Sequence, residues 1–86
     1  MDRPDQSLED LLAAELDHAR DMLVMMGDEL AGDFAVVSRH GLALQAVDIV
    51  GQMLGHIANV VRAEDRPAAV ERIGMCDLKA KLSKAA

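Results

Sequence analysis

GLALQAVDIVGQMLGHIANVV, residues Gly41 to Val61, decides how this chain folds. Wound as a helix at about 100° per residue, its polar residues Gln45, Asp48, Gln52, His56 and Asn59 gather within an arc of roughly 80°. Every other position is Gly, Ala, Val, Leu, Ile or Met, and the stretch holds no Lys, Arg or Glu. Long charged side chains mark an ordinary solvated face, whereas this arc carries short hydrogen-bonding groups. The pattern predicts a helix buried on most of its circumference, with one narrow polar stripe as the candidate for function.

The rest of the chain supplies packing partners. Upstream, Leu12, Leu16, Ala19, Leu23, Met26 and Leu30 alternate by four and three, the spacing of a seam between packed helices. Asp10, Asp17, Asp21 and Asp28 fall on the other side, as a solvated ridge. Met22, Val24 and Met25 widen the apolar surface beyond one seam, and the methionines read as core or dimer filler. Ser7 is placed to cap this helix, after a short disordered lead over residues 1–6. A break falls between Ala31 and Asp33, and Asp33 caps a second helix running to about Ala63. Val37, Leu44, Val47, Leu54, Ala58 and Val61 form its seam. Gly51 and Gly55 share one face as packing glycines, because each costs up to about 1 kcal/mol of helix propensity. Pro67 opens a third helix capped by Asp65 and ended near Gly74. Asp77 caps a last short one that carries Lys79, Lys81 and Lys84 on its exposed side.

The expected fold is therefore all-α: one domain over residues 7–86, a long helical hairpin plus one or two short C-terminal helices. A hairpin alone cannot bury two broad apolar faces, so two copies are expected to pair as a homodimeric four-helix bundle.

Composition narrows the function classes. Net charge is −6, and Phe34 is the sole aromatic residue. An acidic chain without stacking platforms is a poor partner for nucleic acid or for an anionic membrane. Residues 1–32 hold nine acids and two bases, residues 33–63 two of each, and residues 64–86 four acids and five bases. The run 41–61 is long enough to span a bilayer but carries Asp48, His56, two Gln and an Asn, which argues against a membrane helix. A single cysteine, Cys76, fits a reducing cytoplasm and reads as a buried apolar group. Glu15 and His18 match the Glu-x-x-His of di-iron bundles, but Val37 and Met53 stand where the second helix would need its acid, so no metal or cofactor is expected.

Asp48 and Gln52, four apart, sit one above the other on a helix. The string Asp48-Ile49-Val50-Gly51-Gln52-Met53-Leu54 resembles the active-site helix of the CheZ family of chemotaxis phosphatases, with its D-x-x-x-Q motif and Gly before the Gln. The resemblance spans about a dozen residues. It implies a dimeric hairpin bundle in which Gln52 orients water against a response regulator's aspartyl phosphate and Asp48 engages the regulator's lysine. Phosphoryl transfer needs positioning more than covalent help, so two such groups suffice on this side of the complex. Phe34 to His40 faintly resembles the phosphorylated helix of histidine kinases. Gly41 stands here in place of that family's acidic residue, and Leu42-Ala43-Leu44 in place of its Arg-Thr-Pro, so His40 reads as a bundle-edge histidine. The leading expectation is a small bacterial-type regulatory protein of the cytoplasm that docks a protein partner, with Gln45, His56 and Asn59 as binding groups. The alternative is a CheZ-like phosphatase or receiver-domain partner in two-component signalling, with Asp48 and Gln52 as its catalytic pair.

Overall fold

A computed structural model describes residues 7–85. They form four helices: α1 (Leu8–Ala31), α2 (Phe34–Arg62), α3 (Arg66–Glu71) and α4 (Cys76–Ser83). No strand occurs among the described residues. The lead over residues 1–6 lies outside them.

Local chemistry explains the boundaries. The Ser7 hydroxyl accepts the Asp10 N–H at 3.1 Å, and Glu9 and Asp10 occupy the first turn, where the helix dipole favours acids. The Asp33 carboxylate accepts from Ala35 and Val36 and starts α2. The Asp65 carboxylate accepts the Ala68 N–H, and Pro67 lies in the first turn of α3. The cap expected at Asp77 is displaced. α4 begins at Cys76 with Met75 at the N-cap and no side-chain bond there, so Asp77 serves only as an acid in the first turn. At His40 the backbone leaves helical geometry (φ −128°, ψ 29°), which kinks α2 near the hairpin turn.

α1 and α2 pack antiparallel along their length. The contact line on α1 runs through Ala13, Arg20, Val24 and Gly27, and on α2 through Val47, Gly51, Gly55, Ala58 and Arg62. A Cβ on Gly51 would lie 3.8 Å from both Arg20 and Val24, and one on Gly27 3.4 Å from Val47. Gly51 and Ala58 are buried, and so is Ala13 opposite Arg62. The packing glycines thus stand where the spacing placed them.

The α1 seam does not. Leu12, Leu16, Ala19, Leu23, Met26 and Leu30 lie about 80° to one side of the contact line, and the aspartate ridge about 80° to the other. Leu12 stays 49% and Met26 46% exposed. Small residues win the contact because they let the two backbones approach, while Leu12, Met26 and Leu30 turn outward and Leu16 and Leu23 stay half-buried at its edge. α2 is similarly open. In the single chain it is not buried on most of its circumference: only Gly51 and Ala58 are buried, and Leu42 is 84% exposed. The reason is geometric. One long neighbour and two short ones cannot enclose a 29-residue helix.

The compact core lies at the C-terminal end. Val70, Ile73 and Leu78 are buried against Met53, Ile57 and Val60 of α2, with Met75 and Leu82 beside them. Cys76 is exposed, contrary to the buried position expected of it, because it sits at the solvent side of the first turn of α4. The methionines Met22, Met25 and Met26 are exposed as well, and fill no core within the chain. No helix among the described residues is long and apolar enough to cross a membrane.

Candidate functional site

The two sides of the hairpin differ in chemistry. In an antiparallel pair, faces rotated in the same sense from the contact line lie on the same side. The α1 seam therefore shares its side with Val50, Leu54, Ile57 and Val61 of α2, and the aspartate ridge shares the opposite side with the polar stripe. Asp28 of the ridge and Asp48 of the stripe reach one groove between the helices, whose floor is otherwise apolar: Leu23, Val24, Gly27, Leu44 and Val47. The polar face is thus a composite of both helices.

The stripe divides into three parts. At its centre Gln52 Nε2 donates to Asp48 Oδ2 at 2.9 Å, and both side chains are exposed. Near the hairpin turn, exposed Gln45 borders the open surface around the His40 kink, with Val37, Ser38 and Leu42. Toward the C-terminal end, half-buried His56 and exposed Asn59 line a depression of about 190 Å³ against Ala63, Ala69, Arg72 and Ile73 of the α3 region. The helix brings Asp48 and Gln52 into direct contact. It leaves Gln45 on one side of that pair and His56 with Asn59 on the other.

Beside the stripe lies an ion-pair relay that sequence reasoning missed. Asp17 is held between Arg20 (3.1 Å) and Arg62, whose guanidinium also donates to the Ala13 carbonyl at 3.4 Å and to the Asn59 amide oxygen at 3.4 Å. Arg20 turns its other edge to Asp21 at 3.0 Å and lays its stem over Gly55. The i, i+3 spacing of Asp17 and Arg20 was a legible signal. The Arg62 partner was not, because that pair needs the register of the hairpin, 45 residues away in sequence. These groups are partly solvated, so the relay aligns the helices more than it stabilises them; exposed pairs contribute about 0–1 kcal/mol. It also consumes the two arginines of the polar face, leaving Asp28 and Asp48 as its unneutralised acids near the groove.

The arrangement offers an amide, a carboxylate and an imidazole on one rigid helix face, accessible from one direction. That suits recognition of polar or basic groups on another protein. No three His, Cys, Asp or Glu side chains among the described residues gather closely enough to hold a metal ion, and Glu15 and His18 stand exposed on α1 without such companions. No protein-family model, no curated protein and no solved structure matches this chain.

Proposed function

We propose that this chain is a helical interaction protein of bacterial-type regulation, acting in the cytoplasm as a homodimeric four-helix bundle that docks a protein partner on its polar face. The observation that carries this reading is the two-sidedness of the hairpin: a long apolar side on which Leu12, Met26, Leu30 and Val50 stand exposed, backed by a polar side rich in exposed hydrogen-bonding groups. Outside the small C-terminal core, a pair of long helices encloses no interior. Its 24-residue α1 is about 36 Å long, and two helices side by side are about 20 Å across, so each copy offers a face of roughly 700 Å². That is close to the 800 Å² or so per partner of a standard stable interface. Pairing two such faces gives the large side chains an interior and leaves both polar faces outward.

Light scattering is the direct test. A mass of twice 9.3 kDa supports the reading, and a monomer across the micromolar range refutes it.

A second reading is favoured by one specific observation: Asp48 and Gln52 are both exposed and stacked one turn apart. A CheZ-like phosphatase requires such accessibility, because Gln52 would have to reach a receiver domain's aspartyl phosphate while Asp48 meets its lysine. Addition of the protein to an acetyl-phosphate-loaded receiver domain tests it. Faster dephosphorylation that disappears in Gln52→Ala supports the phosphatase, and an unchanged decay rate eliminates it for that receiver.

A further inference from the structure

We infer that the second copy docks with the two-fold axis running along the bundle, so that α1 of each copy lies across from α2 of the other and both hairpin turns sit at the same end. This rests on the dimeric reading above and adds its geometry. Two apolar hairpin faces can close around a two-fold axis in two ways with every neighbour antiparallel. An axis across the helices sets α1 against α1 and α2 against α2, with the turns at opposite ends. An axis along the helices sets α1 against α2 from both sides.

Charge separates the two. α1 carries seven acids (Glu9, Asp10, Glu15, Asp17, Asp21, Asp28, Glu29) against Arg20, a net −6. α2 carries Arg39 and Arg62 against Asp48, a net +1. Setting α1 beside a second α1 brings the two helix axes to about 8–10 Å, comparable to the screening length at physiological salt; the ridge aspartates face outward, so the repulsion falls on Glu9 and Glu15, the acids nearest that contact. Setting α1 beside α2 on both sides keeps the two acidic helices on the diagonal of the bundle.

The C-terminal helices fit the same arrangement. Residues 66–84 hold Arg66, Arg72, Lys79, Lys81 and Lys84 against Glu71 and Asp77, a net +3. Their core flanks α2 on the side away from α1, level with the first half of α1, and Arg66 reaches back to Glu9 of its own α1 at 3.7 Å. With the axis along the bundle, this basic flank borders the outer edge of α1 of the second copy, where Leu8, Leu11 and Glu15 are all exposed in the single chain. Those leucines gain a cover and the acid a set of lysines. Functionally, the dimer then presents its two Asp48–Gln52 pairs on opposite sides and at equal distance from the turn end, as two equivalent docking sites.

Spin labels read the arrangement directly. Cys76→Ala removes the one native thiol, and Ser38→Cys (turn end) or Glu64→Cys (opposite end) introduces an exposed label site. The two positions differ by about 36 Å along the helix axis, from the 1.5 Å rise per residue between Ser38 and Arg62. Pulsed electron-spin distances are measured in dimers labelled at Ser38→Cys, in dimers labelled at Glu64→Cys, and in mixed dimers carrying one of each. Both same-site distances shorter than the mixed distance are expected. The reverse order, with the mixed pair short and the same-site pairs long, overturns this arrangement while leaving the dimer intact. A monomeric mass in light scattering overturns the dimeric reading together with it.

Discussion

Gly51 tests how closely the two long helices approach. It is buried on the contact line, and a Cβ built there lies 3.8 Å from the Arg20 stem and 3.8 Å from the Val24 methyl, ordinary van der Waals distances. Gly51→Ala therefore fits without displacing a neighbour. It gains about 0.5–1 kcal/mol from helix propensity and up to about 0.8 kcal/mol from a buried methyl, for a total of about 1–1.5 kcal/mol. In a domain of this size that raises the melting temperature by roughly 5–10 °C. Gly55→Ala is the internal control. There the new methyl meets Arg20 Cδ and Nη1 at 3.4 Å, so the guanidinium has to give by a few tenths of an ångström and loosens its hold on Asp17. A gain near zero is expected. Thermal melts followed by circular dichroism, at matched protein concentration because association shifts melting by mass action, provide the comparison. If Gly51→Ala loses 1 kcal/mol or more, the helices pack closer than this structure has them, and the assignment of Gly51 as a tolerant packing glycine is wrong.

Leu12→Asp places a charge on the apolar side at a position already 49% exposed in the single chain. Dimers are expected to dissociate to monomers with the helical content of the chain largely kept, seen as a halved mass in light scattering; an unchanged dimer would remove that side from the interface. Arg62→Ala breaks the bonds to Asp17 and the Ala13 carbonyl. Because the Arg62 and Asp17 side chains are both partly solvated, the expected loss is about 1 kcal/mol or less, smaller still in 1 M salt, and paired urea melts at low and high salt decide it. Gln52→Ala removes an exposed side chain whose one side-chain bond among the described residues is to exposed Asp48, so unfolding free energy should stay within about 0.5 kcal/mol of wild type. A larger drop in the urea midpoint would mean that the stripe is sealed in the assembled protein.

Much of the architecture was legible because helix boundaries obey local chemistry. Ser7, Asp33 and Asp65 bind the free N–H groups of the turns they precede, and the cap-and-breaker reading placed three of the four helices from those residues alone. Asp77 misled because a side chain two residues inside the turn satisfies no cap when Met75 already starts the helix. The His40 kink has a weak mark in the sequence, Gly41 directly after it and Ser38 two residues before, but no Pro, so the helix reads as continuous there. Among candidate site residues, the stripe was readable from angular position, as was the Asp48–Gln52 contact, because an i, i+4 pair is fixed by the helix itself. The division of the stripe was hidden: His56 and Asn59 acquire their depression only from α3, and Asp28 joins Asp48 only across the hairpin.

By itself, then, the sequence determined what depends on neighbours within about four residues: the helices, most of their caps, the polar stripe and the charge of each segment. It could not determine which side of α1 meets α2. The four-and-three leucine spacing of α1 marks an apolar side, yet periodicity is silent on whether that side meets the nearest helix or something further away. Tertiary structure decided it in favour of Ala13, Gly27, Gly51 and Ala58, because backbones that approach closely gain more contact than bulky side chains held apart. Leu12, Met26 and Leu30 turned outward as a result, and with them came the two-sided hairpin on which the proposed function rests.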